Sequence, residues 1–174
     1  MLSVRNPDRL MPLGPGQPEE SMRAELSRLT PETLFETPVR RLDYAQACLA
    51  GLWLWNDFLD ESHRISQDLA GPEGSYWHAI LHRREPDYWN SKYWFRRVGA
   101  HPIFPTLADA ARKLAADLPG SFLTDGRSWD PFAFVDLCEK AAREGGPLET
   151  LCRQIQKAEW ELLYEHCARE AVRA

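Results

Sequence analysis

Apolar positions recur at helical spacing through most of this chain, and short breaks rich in proline and glycine divide them into segments. Val39 to about Leu69 reads as one long helix, or two meeting near Asp60 to Ser62, and its middle, ACLAGLWLW, is apolar on every side. A helix of that kind belongs at the centre of a bundle. Gly71-Pro72-Glu73-Gly74 reads as a break, Ser75 as the cap of a helix ending before Pro86, and Asp87 as the cap of one ending at Gly99, together an αα-hairpin. Thr106 with Asp109 resembles a capping box ahead of Leu107, Ala110, Ala111, Leu114, Ala115 and Leu118, and Pro119-Gly120 closes that segment. Asp130-Pro131 opens a helix with Phe134, Leu137, Cys138 and Ala141 on one face, ended by Gly145-Gly146. From Pro147 a helix of about seven turns follows, with Leu148, Leu151, Cys152, Ile155, Leu162, Leu163 and His166 along one side.

At the other end, residues 1 to 18 carry four prolines and two glycines and read as an arm that lies on the surface or is disordered. A short helix is predicted from Pro18 to Leu29, and Thr30-Pro31-Glu32 starts a further turn that Pro38 stops. The expected fold is therefore an all-α, single-domain helical bundle over residues 19–174, with a central apolar helix and an αα-hairpin. Composition agrees: 22 Leu and 19 Ala stand against 5 Val and 4 Ile, which favours helix over strand.

Charge and cysteine usage narrow the function. A formal net charge of −5 argues against nucleic acid as a partner, because neutralising phosphates needs a basic footprint. The longest apolar run, Ala47 to Trp55, is far shorter than the roughly 18 residues of a membrane span, so no membrane partner is expected. Cys48, Cys138, Cys152 and Cys167 form no CxxC pair and the chain starts with no secretory signal, so a cytoplasmic protein with reduced, buried thiols is expected.

Chemistry-bearing side chains concentrate in residues 75–102, where seven aromatic residues share the segment with three of the five histidines. Five basic residues there face only Glu85 and Asp87. On a helical wheel His78, His82 and Glu85 fall within a sector about 60° wide, beside a buried face of Trp77, Ile80 and Leu81, with Arg83 pointing farthest from it. Histidines at i and i+4 can chelate a metal, a carboxylate is a common third ligand, and His63 in Asp60-Glu61-Ser62-His63 can supply another. Asp60-x-x-His63 and His82-x-x-Glu85 loosely echo the Glu-x-x-His pairs of di-iron bundles, with the second pair reversed. Without a metal, His78, His82 and Glu85 are candidate general acid and base groups.

The next helix carries Tyr88, Trp94, Phe95 and Val98 on one face and Trp89, Tyr93, Arg96 and Arg97 on the other. The second set suggests a contact surface, since guanidinium groups stack on aromatics and offer paired donors to a carboxylate or phosphate. Asp57, Asp60, Glu61, His63 and Gln67 are expected to meet the histidines and arginines in one polar pocket, if the central helix packs against the hairpin.

The strings FLDESHRISQ (58 to 67) and WHAILHRREPDYWNSKYWFRRVGAHP (77 to 102) resemble those of an uncharacterised family of bacterial and fungal conserved hypothetical proteins. That resemblance implies that the two segments act as one unit and carries no catalytic role or cofactor. The expected function is binding of a small polar or anionic ligand between the 41–69 helix and the 75–99 hairpin. Arg83, Arg84, Arg96 and Arg97 are the expected anion contacts and Trp89 and Tyr93 the stacking surfaces. One alternative is a metal-dependent hydrolase or oxidase using His63, His78, His82 and Glu85; another is an interaction or homodimerisation module built on the outward aromatics.

Overall fold

The computed structural model describes residues 6, 8–116 and 128–174. The fold is all-α: eight helices and one 3-10 turn, with no strand among the described residues. The helices are α1 (Glu20–Leu26), α2 (Leu42–Trp55), α3 (Leu59–Ser66), α4 (Pro72–Arg84), α5 (Tyr88–Val98), α6 (Phe104–Leu114), α7 (Pro131–Glu144) and α8 (Gly146–Val172), and Pro31–Thr33 forms the turn. None is long and apolar enough to cross a membrane.

α2 is central, as its all-round apolar pattern predicts, with Ala45 and every residue from Ala47 to Trp55 buried. Trp160 of α8 packs on Trp55 and Trp77, and its indole N–H donates to the Gly51 carbonyl at 2.8 Å. α5 runs back along α4: the Ser91 hydroxyl donates to the Ala79 carbonyl at 2.8 Å and Trp94 lies against His78. A second apolar cluster joins α6, α7 and the first half of α8 around Phe134, Leu151 and Ile155. Asp130 caps α7 by accepting from the Phe132 and Ala133 amides, Pro131 occupies its first turn, and Gly145 ends it at a φ of 68°.

Three boundaries differ from expectation. The break between α2 and α3 falls at Asn56-Asp57-Phe58 rather than at 60–62, because Asp57 turns to a φ of 64°, where only a few non-glycine residues, Asp among them, are tolerated. α4 begins at Pro72, so the glycine-proline break forms its first turn; proline lacks an N–H that a helix start leaves unpaired in any case. α6 begins at Phe104, two residues before the expected cap, again with a proline in its first turn. Its expected stop, Leu118 and Pro119-Gly120, lies outside the described residues.

The arm also departs from a surface or disordered segment. Met11 and Leu13 are buried, the Leu10 and Met11 carbonyls accept from Arg153, and the Met11 and Pro12 carbonyls accept from Gln156. Proline and glycine exclude helix here, but they leave backbone carbonyls free to bind interior donors. Gly16, at a φ of 74°, lies so close to the Asp57 carboxylate that a Cβ would come within 2.7 Å of it.

Candidate metal centre

α4 is enclosed along nearly its whole length, with every residue from Glu73 to Arg84 buried. Its C-terminal half turns one face towards α3 and α5, where His78 and His82, one helical turn apart, meet His63. The Nε2 atoms of His63 and His78 stand 3.1 Å apart, and one ring nitrogen from each of the three histidines lies within 4.8 Å of the others. His78 and His82 are buried; His63 is half-buried and forms the side towards solvent. Groups of this composition can hold a metal ion.

The surroundings fix the rings. Trp94 stacks on His78 with centroids 3.9 Å apart, and Arg97 lies over the same indole with its guanidinium carbon 5.1 Å from the centroid. The Glu85 carboxylate is 2.8 Å from His82 Nδ1, and the Asn90 side-chain amide is 3.1 Å from His82 Nε2. A proton on Nδ1 facing Glu85 is the tautomer of a metal-ligating histidine supported by a carboxylate. The Asn90 amide, which can only donate, then holds the Nε2 lone pair and must turn away for an ion to bind there. His78 Nδ1 is buried without a hydrogen-bond partner. Burial, then the neighbouring charges of His82 and His63, push His78 down to about 3, so its imidazole is neutral at ordinary pH and able to act as a ligand.

Glu85 therefore sits behind His82 rather than beside His63 and His78 as a further ligand. Of the polar groups expected to meet the histidines and arginines, His63 joins the histidines and Asp57 meets Arg84 apart from them. Glu61 pairs with Arg23 at 2.6 Å, Asp60 and Gln67 are exposed, and Asp57 pairs with Arg9 and Arg84.

Arg83 and Arg84 are corrected by the structure: neither is an anion contact at a surface, and both are fully buried. Arg83 donates to Glu159 at 2.5 Å and to Gln156 at 3.3 Å and lies over Phe134, while Tyr76 donates to Glu159 at 3.1 Å. The wheel placed Arg83 away from the core because it sees one helix; the far side of α4 faces α7 and α8, not water. Arg84 donates to Asp57 and to the carbonyls of Pro12, Gly14, Pro15 and Leu54.

Arg96 and Arg97 are exposed. Arg96 borders a different concavity, an open cleft of about 960 Å³ walled by Phe95, Phe104, Trp129 and Phe132. Trp89, 73% exposed, and Tyr93 stack along the outer side of α5 with centroids 6.4 Å apart. All four cysteines are buried free thiols, and burial pushes Cys138 and Cys167 well above the usual range, against a nucleophilic role.

Sequence reasoning missed a second group. Glu73, His101 and His166 are all buried and offer donor atoms within 4.8 Å of one another. They come from the start of α4, the α5–α6 connection and the end of α8, so no local spacing could reveal them.

No protein-family model matches the chain, and neither a curated protein nor a solved structure shows significant similarity to it.

The histidines give the metal-free protein a defined pH dependence. Burial, then the charge of His166, pushes His101 down to about 4. Neutral in the fold, His78 and His101 refuse protons that an unfolded imidazole accepts near pH 6.5. Below that pH the unfolded chain binds more protons, so stability is full above about pH 6.5 and falls as the pH drops towards 4. The slope is at most about 1.4 kcal/mol per pH unit for each histidine. Urea midpoints of chelator-stripped protein should fall steadily from pH 7 to 5; equal midpoints would contradict this account.

Proposed function

We propose that this protein is a metal-dependent hydrolase whose ion is held by His63, His78 and His82 and whose substrate is a small anion. The observation that carries the reading is the convergence of three imidazoles on one point beside half-exposed His63, with Glu85 behind His82. Three neutral ligands leave the full double charge of a divalent ion in place, and such an ion lowers the pKa of bound water from 15.7 to about 7. That favours hydrolysis over oxygen chemistry, whose usual non-haem iron site includes a carboxylate among its ligands. His63 leaves a side for substrate to approach, Trp94 keeps water from His78, and Arg97, layered on Trp94, offers a cation to an incoming carboxylate or phosphate.

The test is metal analysis of protein purified without chelator or affinity metal, followed by a screen of small carboxylate and phosphate esters. Activity should vanish on chelation and return with zinc or cobalt. Absence of metal from native protein, and of uptake by stripped protein at these histidines, would end the reading. Glu85→Gln, which keeps the shape but loses the charge behind His82, should weaken metal affinity roughly 10- to 100-fold. A competition titration against a chromophoric chelator reads that change directly.

A further inference from the structure

We infer that Glu73, His101 and His166 form a second metal site, which takes a divalent transition-metal ion of the zinc or iron(II) class and clamps α4, the α5–α6 connection and α8 together. Glu73 Oε1 lies 3.4 Å from His166 Nε2 and 3.8 Å from His101 Nε2. A charge-assisted hydrogen bond would draw these atoms to roughly 2.7–2.9 Å. Donors held at about 2.0–2.2 Å from one zinc ion stand roughly 3.3–3.6 Å apart around a tetrahedron, close to the spacing seen. His101 Nε2, on a ring with 0% side-chain exposure, has no hydrogen-bond partner, nor has His166 Nδ1.

Charge gives a separate argument. No lysine or arginine pairs with the Glu73 carboxylate among the described residues; the two histidines are the groups that face it. A buried carboxylate needs a compensating charge, which the start of α4 supplies only in part. A divalent ion would supply the rest. A small space of about 10 Å³ lined by Tyr44, Gly71 and Glu73 borders the carboxylate. Unlike the His63 centre, this one has no half-exposed ligand, so an ion here would be shut away from substrate.

One group opposes the required tautomer. The Ile103 amide stands 3.4 Å from His101 Nδ1, at the outer limit of a hydrogen bond, whereas ligation through Nε2 puts a proton on Nδ1. Metal loading must therefore turn that amide away, which makes it a reporter.

The experiment is a cobalt(II) titration of chelator-stripped protein followed by visible absorption. Wild type should take two equivalents, His82→Ala one, and His82→Ala with Glu73→Gln none, with helical circular dichroism retained. His82→Ala protein that takes up no cobalt, or a double variant that still binds one equivalent, would overturn the second site. Failure of the His63 centre instead appears as one equivalent in wild type that His82→Ala keeps. Should the double variant not fold, long-range proton–nitrogen spectra of His82→Ala decide the matter. Zinc must shift the ring nitrogens of His101 and His166 and the Ile103 amide, and unmoved signals would overturn the inference.

Discussion

His82→Ala should remove one equivalent of bound metal and abolish metal-dependent hydrolysis while leaving the protein folded. The loss in affinity should exceed the roughly 10- to 100-fold that removing the supporting Glu85 charge costs, because a donor atom itself is lost. His82 is the right residue to remove. His63 lies on half-exposed α3 and His78 is packed under Trp94, so truncating His78 would also open a cavity beneath the indole. His82 touches Glu85, which is exposed, and Asn90, which is half-buried, and both can turn to water when the ring goes. The stability cost should therefore stay at about 1–3 kcal/mol, readable by urea denaturation. Metal content by mass spectrometry and a competition titration read the rest. If the histidines only hydrogen-bond to one another, wild type and variant will carry the same metal content and differ in stability alone.

Sequence resolved those features whose causes are local. Asp130-Pro131 and Gly145 mark the ends of α7, and the unbroken apolar run of α2 announces a central helix. The His78–His82 pair was legible too, because i and i+4 share a helix face and Glu85 falls on the same stripe. What sequence could not show depends on which elements surround a helix. Arg83 and Arg84 read as contacts for an anionic ligand until α7, α8 and the arm close over α4. The arm's carbonyls are invisible as ligands for Arg84 because backbone acceptors leave no trace in side-chain pattern. Glu73, His101 and His166 meet only through tertiary packing.

The other large effect should come from Arg84, and it is one of stability rather than chemistry. Arg84→Met should cost about 3–5 kcal/mol, because it removes one partner of a buried ion pair and leaves the other charged. Burial opposes the Arg84 charge and lowers its pKa from the usual value, with the Asp57 carboxylate working the other way. Asp57, 4% exposed at its left-handed turn, would keep only Arg9, which reaches it from the arm itself. The carbonyls of Gly14 and Pro15 would lose their Arg84 donor in the same step, while Pro12 would keep Gln156 and Leu54 the Asp57 amide. A lysine could not replace it: an ammonium has three donors at one point, whereas the guanidinium fork spreads five over the helix end and the arm. Since whole domains are stable by only about 5–15 kcal/mol, the variant should have a sharply lower urea midpoint. Release of the arm should also expose residues 10–16 to protease at protein concentrations and temperatures where the wild type resists. Arg97→Met, an exposed control from the same sequence cluster, should stay within about 0.5 kcal/mol. Equal midpoints for the two variants would mean that the arm is not held by Arg84, and that the buried network around Asp57 contributes no more than a surface charge.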